Sequence, residues 1–206
     1  QMGEGWSDFA TLIIGTDVNN SPVDRRGIGT YVTREDNDGQ GIRTYPYSTD
    51  RNVNPHTYDN IITESVPHGV GSVWNVMCWD LYWAMVDEHG FDEDLYTGNG
   101  GNNMAIQLVF EGMKLQKCEP GFVDGRDAIL AADQALYDGA NQCLIWEVFA
   151  SRGLGFNADQ GSEFSRADGV ENFDMPPFCS NTISIAKQAD KDLIEAGETV
   201  EISLTV

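Results

Sequence analysis

Apolar residues recur at helical spacing along much of this chain. Phe9, Leu12 and Ile13 follow an acidic opening turn, which predicts a first amphipathic helix ending near Gly15. From Thr16 to Pro67 the chain is polar, with Gly, Asn, Asp and Pro scattered throughout. A stretch this long inside a compact domain is usually functional or built of short ordered pieces. Arg26 to Val32 is expected as a short strand, and Asp36-Asn37-Asp38-Gly39 carries turn chemistry. Then Val73, Trp74, Val76, Met77, Cys78, Leu81, Tyr82, Trp83, Met85 and Val86 cover almost every side of a helix. A helix that is apolar all round is a buried one, so this is the predicted central helix. Pro67 suits its start, and His89-Gly90 its end, where the histidine is a favourable cation.

Three amphipathic helices follow an acidic, glycine-rich loop from Asp92 to Gly101. Asn102 is expected to cap the first, which runs through Leu115 with Ile106, Val109, Phe110 and Met113 inward. Asp124 to Tyr137 is the next, with Ala128, Ile129, Ala132 and Leu136 inward. Asn141 to Ala150 is the last, with Leu144, Ile145, Val148 and Phe149 inward. After Cys179 the period changes to two: Ile183 and Ile185, then Val200, Ile202, Leu204 and Val206, alternate with polar residues. The expected fold is therefore mainly α, with minor β structure in loops and a β-strand tail. It divides into a helical domain over 1–180 and a strand-like tail over 181–206. The Asp190 to Val200 run resembles the opening of β-sandwich modules appended to secreted bacterial enzymes, cut before such a module is complete.

The 206 residues carry Asp+Glu 33 against Lys+Arg 12, a formal net charge of −21. Such a surface repels nucleic acid and anionic lipid. Hydrophobic content of 41% with Trp 5, Phe 9 and Tyr 7 excludes a disordered acidic chain. No signal peptide and no apolar run near membrane-spanning length is present in the sequence. Cysteines stand at 78, 118, 143 and 179 without any C-x-x-C pair, which argues against a structural zinc site. Cys78 lies in the apolar helix and reads as a small buried hydrophobe. Cys118 and Cys143 bracket a predicted helix and are close enough in sequence to pair, but three fully paired connectivities stay open.

Glu4 and Asp8 are four residues apart and share one helix face. Like charges at that spacing repel by a few tenths of a kcal/mol, so something nearby should compensate them. One reading is a solvated acidic first turn favoured by the helix dipole. The other is a metal carboxylate at Glu4, with Asp8 orienting a neighbouring ligand. Asp36 to Gly39 superficially resembles a calcium loop but lacks the alternating ligands and the distal glutamate, so a solvated turn is expected there. His56 is expected as an exposed loop histidine; a residue lining the cleft is the other reading.

The stretch Gly3-Glu4-Gly5-Trp6-Ser7-Asp8-Phe9 looks like the signature of the fungalysin family of secreted, thermolysin-like zinc endopeptidases of the gluzincin type. Gly41-Ile42-Arg43-Thr44-Tyr45-Pro46-Tyr47-Ser48-Thr49 resembles a second family segment, and Asn54-Pro55-His56-Thr57-Tyr58 a third. Around His68 the family's V-H-x-x-G pattern is present with Pro67 replacing the valine. The runs Cys118 to Ile129 and Cys143 to Gly155 are similar to family segments as well, and both of those cysteines resemble fungalysin cysteines.

The resemblance implies a thermolysin-like C-terminal helical subdomain and a set of roles. Glu4 would be the third zinc ligand, and Asp8 would stand behind a zinc histidine. Arg43 would bind a substrate carbonyl; a loop-tying arginine is the other reading. His68 would donate to the tetrahedral oxyanion, with Glu64 close enough in sequence to orient it; a capping or packing histidine is the other reading. The family's H-E-x-x-H is absent: His56, His68 and His89 are the only histidines, and none are four apart. The chain thus reads as a fragment of a secreted zinc metalloendopeptidase, cut just before its third ligand and inactive by itself. Its partners would be a peptide substrate and an upstream part carrying H-E-x-x-H. The competing classes are a non-catalytic helical binding or structural domain on the same scaffold, and an acidic calcium-binding module.

Overall fold

The computed structural model describes residues 1–179 and the strands 186–189 and 202–205. Two compact units are present, Gln1–Pro176 and Pro177–Val206. The first is mainly helical. Its elements are α1 (Met2–Ile14), a single turn α2 (Thr30–Thr33), a 3-10 turn (Tyr58–Ile62), α3 (His68–His89), α4 (Gly101–Leu115), α5 (Phe122–Tyr137) and α6 (Gln142–Ser151). The second holds a 3-10 turn, Pro177–Cys179, and strands β1 (Ala186–Ala189) and β2 (Ile202–Thr205). These strands pair antiparallel, with Ala186 opposite Thr205 and Ala189 opposite Ile202. The stretch 190–200, expected to open a β-sandwich module, lies outside the described residues, as do Ile183, Ile185 and Val206.

α3 is the core helix. It packs against α1, α4 and α6, while α5 packs on α4. Trp74, in its second turn, has ring centroids 5.3 Å from Phe122, 5.8 Å from Phe149 and 6.3 Å from Trp6. Burying rings of this size contributes a few kcal/mol each through area alone, roughly 25 cal/mol per Å². α1 and α3 cross at glycines. A Cβ on Gly5 would run into the carbonyl oxygen of Gly71, and one on Gly71 would come 2.7 Å from Glu4 Cβ. This close approach brings the first turn of α1 beside the first turn of α3.

α4 turns a different face inward from the one expected. Ala105, Leu108, Val109 and Gly112 are buried, whereas Phe110 is 41% exposed. The reason is proximity: a Cβ on Gly112 would lie 2.9 Å from Ile129 Cγ1, so only small residues fit where α4 meets α5. Leu136 of α5 is likewise exposed at 43%. Asn102 does not cap α4. Its Oδ1 accepts from Asp92 N at 2.9 Å, while Asn103 Oδ1 accepts from Gly100 N at 3.1 Å.

The long polar segment is ordered by pairing with the core rather than by regular structure. In place of a strand over Arg26 to Val32, isolated bridges join Arg26 to Tyr47 and Ile28 to Gly41, and α2 begins at Thr30. Arg152, fully buried at the end of α6, ties the segment down. Its Nε and Nη2 donate to Asp80 of α3 at 2.7 and 3.1 Å, and its Nη1 to the carbonyls of Asn54 and His56 at 2.6 and 2.9 Å. Cys143 is disulfide-bonded. Cys118 is free and exposed, so it does not pair with Cys143, and Cys78 is free and buried as expected.

Candidate metal and catalytic site

The glycine crossing of α1 and α3 places Glu4 opposite His68. Glu4 Oε2 lies 3.3 Å from His68 Nε2, and the two side chains are 39% and 58% exposed. Behind this open pair is a buried cluster. Asp8, one turn further along α1, is almost fully buried, as is Arg43. Arg43 grips Asp8 with both arms of its fork: Nε donates to Oδ2 and Nη2 to Oδ1, each at 2.7 Å. The hydroxyl of Tyr47, itself inaccessible, donates to Oδ2 at 2.7 Å. Arg43 Nη2 also lies 3.9 Å from Glu4 Oε2, so one guanidinium spans both carboxylates. This answers the like-charge problem of Glu4 and Asp8: the compensating cation comes from the loop, not from the helix. A bidentate, charge-assisted pair of this kind is the strongest class of side-chain hydrogen bonding.

The charges respond accordingly. The hydrogen bond to Asp8 pushes the Arg43 guanidinium pKa up, against the opposing effect of burial. Burial first, and then the Asp8 charge, holds the Tyr47 phenol well above the usual tyrosine range, so it remains a donor. The four residues singled out from sequence, Glu4, Asp8, Arg43 and His68, therefore meet at one place although Glu4 and His68 lie on different helices. Tyr47 belongs with them. Its position inside the Gly41 to Thr49 segment is the only sequence signal it gives.

Two expectations fail nearby. His56 is not an exposed loop residue but 2% exposed, with Nε2 on Glu64 Oε1 at 3.0 Å and its ring edge-on to Tyr45. Burial lowers its pKa, with the Glu64 contact opposing. Glu64 in turn engages His56 and accepts the Thr44 hydroxyl at 2.9 Å. His68 has Glu4, not Glu64, as its charged neighbour. His89 closes α3 as expected and meets Asn141 Oδ1 at 2.7 Å.

Whether these groups suit a metal is a question of donors. Glu4 offers a carboxylate that is 39% exposed, and carboxylate oxygen is one of the donors zinc takes. Among the described residues, no group of three or more His, Cys, Asp or Glu is placed to hold a metal ion. These residues therefore offer one candidate metal donor, Glu4, and not a whole site.

The model of the fungalysin metallopeptidase (M36) family matches residues 1–158, and the chain belongs to that family. The resemblance read from Gly3 to Phe9 and the later segments is borne out. Among similar curated proteins, extracellular metalloproteinase 2 of Trichophyton tonsurans is 40% identical over 184 residues, covering 86% of this chain and 28% of its own length. Extracellular metalloproteinase 3 of Arthroderma otae is 38% identical with the same coverage. Extracellular metalloproteinase MEP of Fusarium vanettenii is 40% identical over 182 residues, 85% of this chain and 28% of its own. The chain thus spans little more than a quarter of the length of these relatives. No described helix is long and apolar enough to cross a membrane.

Proposed function

We propose that this chain supplies one side of the active site of a secreted zinc metalloendopeptidase that hydrolyses peptide bonds in proteins. Residues 1–180 are the thermolysin-like C-terminal helical part of the peptidase domain, and 181–206 begin an appended β-sandwich module. The observation that carries the reading is the single cluster in which Glu4 faces His68 while Arg43 joins Glu4 to the buried Asp8. Family membership and the extracellular names of the relatives support secretion and a peptide substrate.

In this reading Glu4 is a zinc ligand, and the other protein ligands are two histidines of an H-E-x-x-H helix that this sequence does not contain. Zinc, when bound, polarises the peptide carbonyl and activates water. Asp8, held rigid by Arg43, orients one of the zinc histidines. His68, more than half exposed, offers an N–H to the oxyanion that develops on the scissile carbonyl. Arg43 keeps Nη1 free of Asp8 and uses it to hold a substrate carbonyl, while the rest of its fork fixes Asp8.

The isolated chain is therefore expected to bind zinc weakly and to cleave no protein. A zinc assay after dialysis, with casein as substrate, checks this. Stoichiometric zinc, or casein hydrolysis blocked by a zinc chelator, would mean that the site is complete within these residues and the reading is wrong.

A further inference from the structure

We propose that Tyr47 is a positioning residue of the metal site, its hydroxyl fixing the Asp8 carboxylate so that only Oδ1 keeps an open acceptor position for a metal-ligating histidine. The inference rests on the roles given to Glu4 and Asp8 under the proposed function. Each carboxylate oxygen has room for about two hydrogen bonds. At Asp8, Oδ2 accepts both Arg43 Nε and the Tyr47 hydroxyl at 2.7 Å and is filled. Oδ1 accepts Arg43 Nη2 alone. Arg43 by itself grips both oxygens alike and would leave one position open on each. Tyr47 breaks that equivalence, so a histidine N–H arriving at Asp8 finds a single place to dock.

The phenol is itself held in place. Arg26 and Tyr47 exchange backbone hydrogen bonds of 2.9 Å in both directions. On either side, Pro46 O accepts from Asn54 Nδ2 at 3.1 Å, and Ser48 Oγ donates to Val23 O at 3.0 Å. Tyr47 and Ser48 are completely buried, so water does not replace the hydroxyl. Partners behind a metal ligand typically change metal affinity 10–100-fold when removed. Tyr47 stands one bond further back, which places its expected effect near the low end, about tenfold.

The test introduces Tyr47→Phe, an isosteric ring that keeps the packing, into the complete peptidase containing both this chain and its histidine pair. Zinc dissociation is measured by competition with a chromogenic chelator, and the stability of the zinc-free protein by urea unfolding. Leu108→Ala, a core change in α4 away from the cluster, provides a purely structural comparison. Tyr47→Phe is expected to weaken zinc binding about tenfold. Leu108→Ala is expected to lower stability at least as much while leaving zinc affinity unchanged. Unchanged affinity in Tyr47→Phe, or equal weakening in both variants, overturns the assignment. Glu4→Gln separates the two levels. If it weakens zinc binding while Tyr47→Phe does not, only the Tyr47 role falls. If it too has no effect, the reading of the whole site falls with it.

Discussion

Alanine at His68 in the complete peptidase is expected to lower kcat roughly a hundred- to thousand-fold, ~2.7–4 kcal/mol, the usual cost of one oxyanion donor. KM should change little, because such a donor binds the transition state more strongly than the bound substrate. The location of His68 sharpens the prediction. It opens α3, yet no side-chain capping hydrogen bond is made at that end, and its ring is more than half exposed. Removing the ring should therefore cost little folding free energy, within about 0.5 kcal/mol, as for most surface substitutions. Steady-state kinetics, paired with a thermal melt and a zinc assay, separate the possibilities. Near-parent kcat with zinc retained would return His68 to a packing or helix-end residue.

The second large effect is on stability and is measurable in this chain alone. Asp8→Ala removes both acceptors of the Arg43 fork and the acceptor of Tyr47. A guanidinium cannot shed its proton, so a buried cation would be left with Glu4, 3.9 Å away, as its nearest counter-charge. Breaking a buried pair in this way costs about 3–5 kcal/mol. That is a large share of the 5–15 kcal/mol that typically stabilises a domain. Urea unfolding should show it, and the double change Asp8→Ala with Arg43→Met should recover part of the loss by removing the stranded charge. An Asp8→Ala midpoint equal to that of the parent chain would mean that the pair is not buried as described.

Much of this was legible in the amino acids. The run from Val73 to Val86 is apolar on almost every side, which marks a buried helix, and it is α3. The Glu4–Asp8 spacing calls for something nearby to compensate the two charges, and Arg43 does so. What was not legible follows from interactions that leave no period. His56 reads as a loop histidine because its burial depends on irregular backbone that brings Glu64 and Tyr45 to it and on the distant Arg152 clamp, none of which shows as a period. The inner face of α4 was misjudged because bulk is a poor guide where helices approach closely. There Gly112 faces Ile129, and Phe110 is left outside. Tyr47 gives no signal beyond its place in the Gly41 to Thr49 segment, since a hydroxyl aimed at a carboxylate 39 positions away has no local signature.

The central claim is that Glu4 holds the metal, and the most direct test is the zinc content of the complete peptidase with and without Glu4→Gln. Glutamine keeps the size of the side chain and leaves the hydrogen bonds of Arg43 and Tyr47 to Asp8 in place, so the fold should survive. After dialysis against a moderate chelator, the parent is expected to retain stoichiometric zinc and Glu4→Gln to lose it, with added zinc restoring activity only in part. If Glu4→Gln keeps its zinc as tightly as the parent, Glu4 is not a ligand and the account of this site is wrong.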